Sequence, residues 1–167
     1  MIIEENKTLE EIIVDLMREQ GLTLSFVESC TGGMIASRIV NVPGASDVFQ
    51  CGFVTYSNEA KRKLVGVKKK TLAEKGAVSR KCAKQMAKGG RLASETDVCI
   101  SVTGIAGPGG GTEEKPVGTV FIGCSMNDRT NVKECHFDGD RTQIREQTAV
   151  QALMFLRSCI LDWLNEN

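Results

Sequence analysis

The run DVCISVT (97–103) leads without a break into TGIAGPGGGT, where five of the eight residues from 104 to 111 are glycine. An apolar run with so little polar alternation reads as a strand covered on both faces. Such a strand needs helices on either side of its sheet, which confines the chain to a layered α/β architecture. The glycine density is costly in chain entropy, and a plain turn would not require it. It is not a phosphate-binding Walker loop, because no GK[ST] follows, and it does not match G-x-G-x-x-G opening a helix. A loop that folds over a small ligand explains it better. Thr103, Gly104, Gly107, Gly109 and Gly110 are therefore candidate substrate contacts.

The rest of the chain supplies the layers. Thr8 and Glu11 have capping-box spacing, and Leu9, Ile12, Ile13, Leu16 and Met17 follow at helical period. The sequence predicts a strand over 23–27, a helix over 34–40 and a strand over 49–56. It then predicts a helix capped by Asn58 and a lysine-rich loop at Lys68, Lys69 and Lys70. A helix capped by Ser79, the buried strand and a hairpin turning at MNDR follow. A long helix from about Thr142 to Trp163 closes the chain. The expected fold is one domain, 1–167, a three-layer α/β/α sandwich with a mixed, mostly parallel sheet.

Composition excludes several functions. With 21 Lys+Arg, 21 Asp+Glu and 41% hydrophobic residues, the chain is no disordered tail or coiled coil. No apolar run reaches the ~18 residues of a membrane span. The N-terminal MIIEENKTLEE lacks the basic and apolar regions of a signal peptide. Seven cysteines without a CxxC pair and a single histidine, His136, give no zinc spacing. Free thiols fit a reducing compartment, so a cytoplasmic location is expected. Residues 61–91 carry a local net charge of +11. No aromatic is interleaved there to stack bases, so nucleic acid is not an expected partner.

Ligands of layered α/β sheets sit beyond the carboxyl ends of strands. Two segments lie there: TGIAGPGGG, and Glu28-Ser29-Cys30-Thr31-Gly32-Gly33. The second joins a strand to a helix. Its hydroxyls (Ser29, Thr31) and the N–H groups at Gly32 and Gly33 could meet an anion, or Ser and Thr could simply cap the helix. Cys30, at a helix start, is a possible nucleophile. Arg141 and Arg145, four apart, share a helix face and could hold a phosphate. In PGASDVFQCGFVTYSNEAK, Ser46 precedes a strand, Tyr56 ends it and Lys61 follows it. A serine can use a lysine as base where burial lowers the lysine pKa. The intervening strand keeps Ser46 and Lys61 apart unless loops fold back or a second subunit supplies the partner.

In this order, ESCTGG, VPGASDVF, GFVTYSNEAK, LVGV, KGAVS, SVTGIAGPGGGTEEKPVGTV and FDGDR resemble the CinA C-terminal family. Its stand-alone members are nicotinamide-nucleotide amidohydrolases, and many other members carry an additional N-terminal domain. The resemblance implies hydrolysis of the carboxamide of nicotinamide mononucleotide to nicotinic acid mononucleotide and ammonia, without metal or cofactor. It implies a serine/lysine mechanism in which the nucleophile falls on Ser46, the base on Lys61 and an assisting tyrosine on Tyr56. It further places substrate contacts on Ser29 and Thr103, and on Arg141 or Arg145. Gly90 stands where the family more often has alanine. A small nucleotide is the expected partner, with homo-oligomers expected and no membrane. Ser29 or Cys30 as nucleophile, and a non-catalytic nucleotide-binding module, are the competing readings.

Overall fold

The computed structural model describes residues 6–166. The first five residues of the N-terminal segment considered above lie outside that range, as does Asn167. Thr8 opens α1 (Leu9–Glu19) with a full capping box to Glu11. Then come β1 (Leu24–Glu28), α2 (Met34–Val40), a short 3₁₀ turn (Ala45–Asp47) and β2 (Phe49–Val54). They are followed by α3 (Asn58–Val65), α4 (Lys69–Lys75), α5 (Arg80–Ser94), β3 (Val98–Gly104), β4 (Thr119–Met126), β5 (Arg129–His136) and α6 (Arg141–Glu166).

The sheet order is β2-β1-β3-β4-β5. β1 pairs in parallel with β2 and β3, whereas β4 is antiparallel to both β3 and β5. Four of the five strands thus point one way, as the mixed, mostly parallel expectation required. Alternate side chains of the central strands feed two cores. Leu24, Phe26, Ile100 and Val102 pack with α1, α2 and α6 residues such as Ile13, Ile35 and Leu153. Val27 and Cys99 face the other way, onto Val65, Cys82 and Met86 of α3 and α5.

Two local expectations are corrected. Ser57 caps α3, accepting from the Ala60 N–H at 3.0 Å, and Asn58 is the first helical residue. Both residue types cap well, so local sequence did not separate them. The segment at Lys69 and Lys70 is helical, not a loop, and buries Thr71. All seven cysteines are free and five are buried, which fits a core role for most of them.

The topology decides where a ligand can sit. β1 is followed by β2 on one side of it, and the chain then crosses over to β3 on the other. The crevice beyond the carboxyl end of β1 is thus the switch point of the parallel part of the sheet. Glu28 ends β1 there, beside Val54 of β2 and Val102 of β3.

Candidate active site

The chain leaves β1 through Glu28, whose side chain is 1% exposed. Its carboxylate accepts hydrogen bonds from the N–H groups of Gly33 (3.0 Å), Ile35 (3.2 Å) and Ala36 (2.9 Å). Gly33, the N-cap of α2, has φ +99° and no side chain to cap with, so a buried carboxylate does that work. Gly32 and Met34 donate within the turn, to the carbonyls of Ser29 and Thr31. The expected anion contact at Gly32 and Gly33 is therefore corrected: these amides already have acceptors inside the fold.

Ser29 follows Glu28. Its N–H donates to the Val102 carbonyl, which fixes the residue to β3. Lys61 arrives from α3 and is 1% exposed. Its Nζ lies 2.8 Å from Ser29 Oγ and donates to the Thr55 carbonyl at 2.7 Å. No carboxylate is among these partners. Burial outweighs the opposing influence of the nearby Cys82 and Cys30 thiols and holds the Lys61 pKa below the ordinary lysine value.

Ser46 is not part of this arrangement. It lies in the exposed 3₁₀ turn before β2, between Gly44 and Asp47, both of which bind Arg18 of α1. Parallel pairing of Leu24 with Phe49 and Glu28 with Val54 puts that turn at the amino end of the strands. At ~3.3 Å per residue, β1 alone separates it from Ser29 by more than 10 Å. The Ser46–Lys61 pairing within one chain is thus replaced by Ser29–Lys61. Sequence distance concealed this, since the two residues are 32 apart.

The pair opens into a cleft of about 220 Å³ lined by Ser29, Cys30, Tyr56, Asn58, Lys61, Ala77, Val78, Thr103, Gly104, Ala106 and Arg141. Thr103 Oγ1 donates to the Ala77 carbonyl at 2.9 Å and joins the glycine-rich strand end to the loop before α5. Tyr56 and Arg141 form the rim. Tyr56 is 64% exposed, and its hydroxyl accepts from Arg141 Nη2 at 3.1 Å. Arg141 Nη1 donates to the Gly107 carbonyl at 2.7 Å. Gly109 and Gly110 are exposed and do not line the cleft, which corrects their expected contact role.

The structure also separates the two arginines. Arg145 gives its Nε to the Cys30 carbonyl (2.9 Å) and its Nη2 to the Thr31 carbonyl (3.0 Å), while Arg141 stands at the cleft. Thr31 is fully buried and its hydroxyl has no hydrogen-bond partner among the described residues. The Cys30 thiol is pushed up to about 11 by burial, so it is no thiolate at neutral pH. Asn58, Ala77, Val78 and Ala106 were not foreseen as cleft residues. The adjacency of Asn58 to Tyr56 and Lys61, the KGAVS segment for Ala77 and Val78, and the TGIAGP segment for Ala106 are the signals that could have found them.

A larger cleft, about 530 Å³, lies at the opposite end of β3, between the β4–β5 turn and the end of α6. It contains no hydroxyl–base pair, so volume alone does not mark the chemistry. Among the described residues, no cluster of three His, Cys, Asp or Glu groups is placed to hold a metal ion.

Comparison with known proteins gives the family and the fold. The family model of the CinA C-terminal domain matches residues 6–160. The chain belongs to that family. It is 54% identical over 155 residues to a CinA-like protein of Kosmotoga olearia, covering 93% of this chain and 38% of that protein. It is 53% identical over 154 residues to a putative competence-damage inducible protein of Clostridium perfringens, covering 92% and 37% respectively. The chain thus spans under two-fifths of these relatives. A crystal structure of a competence/damage inducible protein from Agrobacterium tumefaciens superposes with a TM-score of 0.87 at 43% identity, covering 90% of this chain and 92% of that one. A CinA superfamily protein from Klebsiella pneumoniae gives 0.89 at 30% identity, with 93% and 97% covered. Among the described residues no helix is long and apolar enough to cross a membrane.

Proposed function

We propose that this CinA-type domain hydrolyses the carboxamide of nicotinamide mononucleotide to nicotinic acid mononucleotide and ammonia, with Ser29 as nucleophile and Lys61 as base. The observation that carries the reading is a buried lysine whose Nζ contacts a serine hydroxyl and a carbonyl and no carboxylate. A lowered pKa leaves more of Lys61 with a free lone pair at a given pH than a surface lysine has. Family membership and the resemblance to nicotinamide-nucleotide amidohydrolases supply the substrate class.

In the proposed reaction, neutral Lys61 takes the Ser29 proton as Oγ bonds to the carboxamide carbon. The carbonyl electron pair moves onto oxygen. When the tetrahedral intermediate collapses, Lys61 returns its proton to the leaving nitrogen and ammonia departs. Water, deprotonated by the same lysine, then cleaves the acyl–Ser29 ester. The 220 Å³ cleft is below the ~300 Å³ of typical ligand pockets, so it suits the nicotinamide ring and leaves ribose and phosphate at the rim. Arg141 stands at that rim, where the phosphate would lie, and Tyr56 beside it offers an aromatic wall.

The test is ammonia release from nicotinamide mononucleotide by the purified chain and its variants. Ser29→Ala and Lys61→Ala are each expected to lose at least ~10³-fold in kcat, and the double variant no more than the worse single, because the two act as one unit. Ser46→Ala is expected to keep activity. A dead Ser46→Ala beside an active Ser29→Ala would move the nucleophile. Nucleotide binding without ammonia release would leave a binding module.

A further inference from the structure

An acyl transfer on Ser29 needs a hydrogen-bond donor aimed at the oxygen that gains charge. In the glycine-rich loop the Ile105 N–H is committed to the Thr119 carbonyl and residues 108–111 are exposed, which leaves the Ala106 N–H as that loop's one candidate at the cleft. The amides at the start of α2 are taken by Glu28. In the turn itself, among the described residues, the N–H groups of Cys30 and Thr31 find no oxygen acceptor, and the Cys30 N–H faces only its own sulfur. Of these two residues, only Cys30 lines the cleft.

Peptide planarity then fixes a direction. In a trans peptide the N–H points opposite to the C=O of the same unit. The Ser29 carbonyl is turned to the Gly32 N–H at 3.1 Å, so the Cys30 N–H points away from that turn bond. The next two carbonyls, of Cys30 and Thr31, are both held by the Arg145 guanidinium. Neither of those peptide units can flip without breaking a charge-assisted hydrogen bond.

We propose that the Cys30 backbone N–H is the oxyanion donor for the Ser29 acyl transfer and that Arg145 is the positioning residue that holds the turn in this orientation. The proposal rests on the Ser29 reading above. It places the donor on the residue after the nucleophile, at a turn that joins β1 to α2. Arg145 touches no substrate in this scheme, which leaves phosphate recognition to Arg141.

The experiment exchanges the amide for an ester. Lactic acid is carried to position 30 by nonsense suppression and compared with Cys30→Ala, which has the same side chain and keeps the N–H. With nicotinamide mononucleotide, the ester is expected to lower kcat by about 10²–10³-fold relative to Cys30→Ala, with KM little changed. Equal kcat for the two overturns the proposal while leaving the Ser29 reading intact. A Cys30→Ala variant that folds, binds nucleotide and releases no ammonia makes the thiol essential and overturns both. For Arg145, Arg145→Met is expected to lower kcat with KM unchanged, and Arg145→Lys to recover part of it. The nucleotide-to-riboside preference stays constant in both variants. A variant that raises KM for the nucleotide alone makes Arg145 a phosphate ligand and removes its positioning role.

Discussion

Lys61 shows how one residue type takes its chemistry from burial. In water its pKa would be ~10.4. Sealed beneath the cleft with a hydroxyl and a carbonyl as partners, the charged form loses solvation that neither neutral group replaces. Each unit by which burial lowers the pKa costs about 1.4 kcal/mol of folding free energy while the ammonium persists. The sign of the pH dependence follows. Below the folded pKa both states are protonated and the full cost is present. As pH rises through the folded pKa towards ~10.4, the unfolded chain binds more protons than the folded one, so stability rises. Lys61→Met is therefore expected to melt at higher temperature than the parent, most at low pH, with the gap closing as pH rises. Melting curves across pH check this, and a gap that widens with pH contradicts the assignment. Arg141 answers to a different force. It is a rim cation with carbonyl and phenol partners, so Arg141→Gln is expected to raise KM for the nucleotide about tenfold or more. The riboside, which lacks the phosphate, should respond little. Steady-state kinetics on both substrates test that difference.

At the scale of elements, two contacts position the site. Glu28 joins the end of β1 to the start of α2 by accepting three amides. Glu28→Gln puts a donor where the oxygens accept, leaving at least one buried N–H unpaired at a cost of about 1–3 kcal/mol. A lower melting temperature and faster amide exchange in α2 are expected, and unchanged exchange there would count against the cap. The second contact is the approach of α5 to the sheet. A Cβ on Gly90 would lie 2.3 Å from Val27 Cγ2 and 2.8 Å from Cys99 Sγ. One on Gly89 would lie 1.7 Å from the Val65 carbonyl oxygen. Alanine would gain about 1 kcal/mol of helix propensity at position 90. Overpacking costs about 1–3 kcal/mol, and Val27 sits in a strand that cannot move freely. The clash wins, so Gly90→Ala is expected to lower the melting temperature by on the order of 2–10 °C. A stabilised variant would show that the helix has room to withdraw. The glycine that looks unusual as a helix former is what lets α5 lie close over β1 and β3.

For the whole molecule, sequence and tertiary structure divided the work by range. Local rules reached what local forces govern: the Thr8–Glu11 capping box, the Ser79 cap, the unbroken apolar run of β3 and the two-residue turn between β4 and β5. They also pointed to the ESCTGG and TGIAGP segments, which line the cleft, because a parallel sheet must leave its crevice at the carboxyl ends of its strands. Sequence order also kept Tyr56 and Lys61 near one another. What it could not supply was direction. Ser46 and Ser29 are both serines in polar turns, and only strand polarity tells them apart. Parallel pairing of β1 with β2 sends the turn before β2 to one end of the sheet and the turn after β1 to the other. The same pairing drops Lys61 beside Ser29 and hands the α2 amides to Glu28 instead of to a substrate. It leaves Arg145 gripping two carbonyls while Arg141, one helical turn away, meets the cleft. Hydrophobic periodicity is a property of neighbours along the chain and survives in the sequence. The meeting of a hydroxyl with a buried amine 32 residues away depends on which strands pair and which way they run, and that is settled only when the sheet closes.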